Sequence, residues 1–251
     1  AGSRYGCIVT LSPSRSRVVE TPGNALPNIM NYATPLYHSA FGVMDSGWKY
    51  MYDRYNNVYR WVPLNGDTAG LMARTLNPWD SPAGPNKGLI KNAIKLAWNP
   101  TKVQRDELYR RGINPVVTFP GEGIQLFGDK TFLTKNSAFD HINVRRLFSY
   151  IEKVIAKAAR NSLFELNDEF TRARFVGIVE PFLRDILGKR GIYDFRVVCD
   201  ETNNTPQIID QNQFVGDIYI KPARTINDIQ LNFIATPTGV VFDEIIGRFG
   251  G

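Results

Sequence analysis

The sequence predicts an α/β (α+β) fold in which a mixed β-sheet is flanked by helices. Residues 143–160 are strongly amphipathic at the helical period, and residues 192–200 and 228–236 alternate at the period of a strand. A chain of 251 residues, 43% hydrophobic and 12% aromatic, also has the length for a substantial core.

The elements follow in chain order. "YGCIVTLSP" reads as a buried strand stopped by Pro13, and "SRSRVVETPGNALPN" as a loop dense in proline and glycine. "FGVMDSGWKYMYDRYNNVYRWVPL" reads as two strands around a turn at Asn56-Asn57, ended by Pro63. "GDTAGLMARTL" fits a short helix capped by Asp67, and "NPWDSPAGPNKG" is loop. "TKVQRDELYRRGI" has a Thr101 cap and a Gly112 stop, which predicts another short helix. In 143–160 the residues Val144, Leu147, Phe148, Ile151, Val154, Ile155, Ala158 and Ala159 share an arc of roughly 140°. Arg146, Lys153, Lys157 and Arg160 lie opposite as a basic stripe, read either as a solvated face or as a surface for an acidic partner. A second helix is expected from an Asn167 cap to Gly188, kinked or divided at Pro181. "YDFRVVCD" places Tyr193, Phe195, Val197 and Cys199 on one strand face; "FVGDIYIK" and "DIQLNFIAT" read as further strands. "GVVFDEII", Gly239 to Ile246, closes the chain as an apolar strand without a following partner.

Composition narrows the function. No apolar run reaches the roughly 18 residues of a membrane span. The start "AGSRYGCIVTLSPSRS" has neither a signal-peptide core nor an initiator Met, so the chain reads as cut or processed from something longer. The two cysteines, Cys7 and Cys199, read as free thiols. The two histidines, His38 and His141, have no metal-ligand spacing, so no metal site is expected. Net charge is +6 over residues 1–142, +4 over 143–190 and −4 over 191–251. A basic face and an acidic face on one molecule suit head-to-tail pairing between copies better than nucleic-acid binding.

The glycine-rich "FPGEGIQLFGDKT" raises the question of a phosphate loop. Such a loop needs a helix N-terminus directly after it, and Ile124–Phe127 read as strand instead. With no Lys-Ser/Thr pair, Gly121 and Gly123 are read as a hairpin turn. "GPNKGL" is likewise loop. A Cys199–His141 nucleophile and base would need a strand thiol to be reactive, and Asp194, Asp200, Asp217 and Asp228 show no pairing for acid–base work. No catalytic or cofactor-binding residue is assigned.

"RWVPLNGDTAGLMARTLNPWDSPAG", "QRDELYRRGINPVVTFPGEGIQLFGDKT", "FDHINVRRLF" and "YDFRVVCDETNN" follow one another in this order. Together they closely resemble the C-terminal part of the tail sheath protein of contractile-tailed bacteriophages of the T-even type, from about Tyr50 to Ile246. The resemblance implies a fold of the tail-sheath inner-domain type, with residues 50–251 as the C-terminal sheath domain and 1–49 as part of the core or inter-domain region. It implies a structural role without catalysis: hexameric rings stacked around a tail tube, contracting to drive the tube through the host envelope. The implied partners are other sheath subunits, the tube protein, and the baseplate and tail terminator at the ends, with no direct nucleic acid and no membrane. The implied place is the virion, after assembly in the host cytoplasm. It also implies that a C-terminal arm, here Val240, Val241, Phe242, Ile245 and Ile246, joins a neighbour's sheet. The sheath of a related injection or secretion system, and an enzyme with an unrecognised site, stay open as other readings.

Overall fold

The computed structural model describes residues 6–135 and 137–227. The expected strands at 228–236 and 239–246 lie outside them. The chain begins with strand β1 (Val9–Leu11), helices α1 (Arg15–Val18) and α2 (Ala25–Ala33), and strands β2 (Gly42–Asp45), β3 (Trp48–Asp53) and β4 (Val58–Pro63). Helix α3 (Asn65–Arg74), strand β5 (Lys95–Leu96), helix α4 (Lys102–Arg110) and strands β6 (Ile113–Asn114), β7 (Val116–Phe119) and β8 (Gly123–Leu126) follow. The long helices α5 (Ile142–Ala159) and α6 (Glu169–Gly188), strand β9 (Ile192–Val198), helix α7 (Pro206–Asp210) and strand β10 (Asp217–Pro222) complete it.

The α/β class holds, and among the described residues the strands are dealt into four small sheets rather than one mixed sheet. β1, β2 and β6 run parallel; β3 pairs antiparallel with β4 and β5; β7 with β8; and β9 with β10. The β3–β4 hairpin turns at Asn57, whose φ of +52° is one an asparagine tolerates. Helix α4 starts where the Gln104 side chain accepts from the Thr101 N–H, and stops at Gly112, φ +73°. An added Cβ at Gly112 would lie 2.8 Å from the Thr131 carbonyl, so glycine is needed there twice over.

Several expectations are corrected. Residues 14–28, read as loop, carry α1 and the first turn of α2. Pro27 lies in the first turn of α2, where no intrahelical N–H bond is lost, and Ala25, Ile29, Met30 and Ala33 form its buried face. Val9, expected in a buried strand, is 55% exposed on the sheet edge. Asp67 does not cap α3; it lies in the first turn, and its carboxylate holds the buried Lys49 ammonium at 2.8 Å. Helix α6 runs unbroken across Pro181 and is capped by Asp168, which accepts from the Thr171 N–H.

Two large cores result. In the first half, α1, α2, α4, β2 and β6 bury Val18, Ile29, Met44, Leu108, Ile113 and Phe132. In the second, α5 and α6 close over β9 with Leu147, Ile151, Phe175, Val179, Leu183, Ile186 and Ile192. Burying each Leu or Ile contributes roughly 1.5–3 kcal/mol, which holds the α5–α6 pair against a sheet that has two strands among the described residues. Val43, Met72 and Ile142 join the halves where β2, α3 and α5 meet.

Candidate functional site

The basic stripe divides along α5. Lys153, Lys157 and Arg160 are exposed, whereas Arg146 is turned onto its own chain. Its Nη2 donates to the Met72 carbonyl and its Nη1 to Thr75 Oγ1, both at 2.7 Å, at the C-terminal end of α3. Burial pulls the guanidinium pKa down, opposed by the charge of Asp80. The first turns of α5 are buried on every side, so a side chain on the polar arc there meets protein, not solvent. Arg146, read as part of the partner-facing stripe, is thus held by its own chain. Arg145, also buried, lies over the rings of Phe41 and Phe139 and reaches Glu152 at 3.0 Å.

Beyond Arg160, the connection to α6 presents Leu163, Phe164, Leu166 and Phe170, all more than 60% exposed. Phe164 sits at φ +67°, an uncommon conformation for an aromatic residue. This apolar turn beside three cations was not singled out from sequence. The signal was available, as four large apolar residues in the otherwise polar "NSLFELNDEF" between two helices.

The glycine-rich stretch is a hairpin. β7 and β8 pair from Val116↔Leu126 to Phe119↔Gly123, Gly121 and Gly123 take φ of +81° and +89°, and a strand follows. Cys199 and His141 have separate partners. Cys199 is buried near Asn204 and the Val215 carbonyl, and burial pushes its thiol pKa up. His141 Nδ1 pairs with Asp140 and its Nε2 with Asn227. Asp194 pairs with Lys221 at 3.3 Å, Asp200 orders a turn through the Thr202 N–H, and Asp217 accepts from Asn203. No cluster of three or more His, Cys, Asp or Glu able to hold a metal ion occurs among the described residues.

One polar network between distant segments is not revealed by sequence spacing. Asp129, 4% exposed, accepts from the Tyr109 hydroxyl at 3.0 Å and the Thr225 hydroxyl at 2.6 Å. Asn227 Nδ2 lies 2.8 Å from the Tyr109 hydroxyl and 3.0 Å from His141 Nε2. Burial and the Asp129 charge push the Tyr109 pKa up, so the phenol stays a donor. The arrangement ties segments 96 and 118 residues apart in sequence, and suits holding rather than proton transfer.

The comparisons agree with this division into halves. The phage tail sheath protein central domain matches residues 4–132 and the phage tail sheath C-terminal domain matches residues 134–236. The chain is 49% identical to the tail sheath protein of Vibrio phage KVP40, with 97% of the chain and 39% of that protein covered. It is 47% identical to the tail sheath protein of Enterobacteria phage T4, covering 99% of the chain and 40% of the relative. It thus spans about two-fifths of these relatives. The fold is shared with a baseplate of the anti-feeding prophage in the contracted state, at TM-score 0.75 and 22% identity over 92% of this chain and 66% of that one. It is also shared with the contracted sheath complex of an extracellular contractile injection system, at TM-score 0.74 and 20% identity over 84% and 60%. Two tail-sheath modules in tandem define a structural class of protein. The chain belongs to the phage tail sheath protein family.

Proposed function

We propose that this chain is the subunit-linking part of the contractile tail sheath of a bacteriophage. Copies polymerise as hexameric rings around the tail tube, and contraction drives the tube through the host envelope during genome delivery. The observation that carries this reading is the unbroken succession of both sheath modules along the chain. Identity of 43–49% to phage tail sheath proteins, against 20–22% to injection-system chains, favours a phage tail over a related injection or secretion system. The subunit meets other copies, the tube protein, and the baseplate and terminator at the ends. It does so without catalysis, nucleic acid or membrane, as a virion component assembled in the host cytoplasm.

Linkage falls to Val240, Val241, Phe242, Ile245 and Ile246, which add as a strand to a neighbour's sheet. The β9–β10 sheet supports this, because it has only two strands among the described residues and so offers a free edge. Lys153, Lys157 and Arg160 face a partner, the tube or the next copy. Deleting residues 239–251 tests the link. The truncated monomer should keep its melting temperature and lose polymerisation. A monomer destabilised by several kcal/mol would instead place the strand in its own core.

A further inference from the structure

The last described residues do not leave the body freely. The Ala223 carbonyl accepts from Asn143 Nδ2 at 3.2 Å, and its N–H donates to the Gly191 carbonyl at 3.2 Å. Two residues later Thr225 donates to Asp129, and after two more Asn227 reaches Tyr109 and His141. Tyr109 and Asp129 belong to the central module, and the other members to the C-terminal one. Residues 223–227 therefore form a strap that bridges the two modules at the end of the described residues. We propose that this strap, held by Tyr109, Asp129, His141 and Asn143, is a positioning device that fixes the point on the subunit from which the chain beyond residue 227 starts, and so how residues 239–246 reach a neighbour.

The inference rests on the linking role proposed above and adds its mechanics. Asp129 is a buried carboxylate whose partners are hydroxyls: Tyr109, Thr225 and, at 3.4 Å, Ser81. A buried carboxylate short of a donor is costly, so Asp129 holds Thr225 as much as Thr225 serves Asp129. Eleven residues lie between Asn227 and Gly239, and the twelve steps from one to the other reach at most about 43 Å. Fixing residue 227 limits the volume that residues 239–246 can reach and so raises their effective concentration at a neighbour's sheet edge.

Thr225→Val and Asn227→Ala, singly and together in the full chain, test the strap. Tryptic cleavage after the exposed Arg224 should quicken at least tenfold in the folded monomer, while the melting temperature falls by no more than about 5 °C, the cost of one lost donor to Asp129. The critical concentration for polymerisation, read by sedimentation, should rise at least tenfold. Thr225→Ser keeps the hydroxyl and should restore both. Unchanged cleavage would show that the strap is not held by these bonds. Faster cleavage at an unchanged critical concentration would show that the fixed starting point does not direct the link, and a large fall in melting temperature would reduce the network to support of the fold. In parallel, deletion of residues 239–251 should abolish polymerisation and leave cleavage at Arg224 as it was. If that deletion polymerises normally the linking role fails, while the cleavage result still decides whether the strap anchors residue 227.

Discussion

The hydroxyl of Ser12 donates to Asp45 Oδ2 at 2.7 Å while accepting from the Asn65 N–H at 2.8 Å. One side chain at the end of β1 thereby ties β2 to the start of α3. The other carboxylate oxygen of Asp45 accepts from the Gly47 N–H at 2.9 Å. Burial pushes the Asp45 pKa up from 3.8 to about 7, against these bonds and with help from the charge of Asp67, which itself pairs with Lys49.

The group binds its proton more tightly in the folded state, so its stabilisation is full below pH 4 and lost as pH rises to about 7. Asp53, Asp168 and Asp200 are held below the usual carboxylate range by side-chain and backbone hydrogen bonds, and act oppositely below pH 4. Stability should therefore climb as pH falls from 7 to 4, by up to roughly 4 kcal/mol, and then decline. Denaturant melts of the isosteric, neutral Asp45→Asn should show a flat profile between pH 4 and 7; an unchanged slope would exclude Asp45 as its source.

The stripe on α5 should split in its responses. Arg146→Ala removes the guanidinium that donates to the Thr75 hydroxyl and the Met72 carbonyl, leaving the carbonyl only the Thr75 hydroxyl, and should destabilise the monomer by about 1–3 kcal/mol. Lys153→Glu with Lys157→Glu should move monomer stability by less than about 0.5 kcal/mol. The same pair should slow assembly around the tube, most at low ionic strength. Thermal melts and turbidity at two salt concentrations separate the effects, and assembly rates equal at both would leave the lysines as ordinary solvated residues.

Gly191 lies between the modules. A Cβ there would sit 2.7 Å from Trp79 Cδ2 and 2.8 Å from Ile186 Cγ2, closer than real contacts allow. Gly191→Ala should cost about 1–3 kcal/mol as Trp79 is displaced. Denaturant melts would show the loss, and tryptophan fluorescence would shift. A variant as stable as the parent would mean that Trp79 has room to move.

The β7–β8 hairpin should bind no nucleotide, because strand rather than helix follows Gly123. Calorimetry with ATP and GTP should give no stoichiometric heat. A micromolar signal that disappears in Gly121→Val would reverse this assignment.

Local signals were legible and distant ones were not. Helix α5 was readable to within a residue from its period, and the Asn57 turn and the Gly112 stop from their chemistry. Helices α1 and α2 were masked by prolines and glycines read as breakers, though Pro27 sits where a helix tolerates it. A helical period gives direction around an axis but not depth, so Arg146 shared an arc with Lys153 and Lys157 yet met α3 instead of solvent. Tyr109, Asp129, Thr225 and Asn227 carry no spacing signal, because only the folded chain brings them together. Tyr193, expected beside Phe195 and Val197, overshoots the core and is 68% exposed.

The parallel β1–β2–β6 sheet has a consequence for biosynthesis. Its strands pair Val9 with Gly42 and Met44 with Ile113, so the sheet draws on segments spread over more than 100 residues. Neither pairing can be closed by a tight turn, and the entropy of each long loop is lost before the contacts repay it. A ribosome must release Ile113 before β2 gains its second neighbour. Until then Val43 and Met44, which end wholly buried, stand on an open edge. The nascent chain is thus most exposed to premature association between copies in the interval before residue 113 emerges, long before the part that would join finished subunits has been translated.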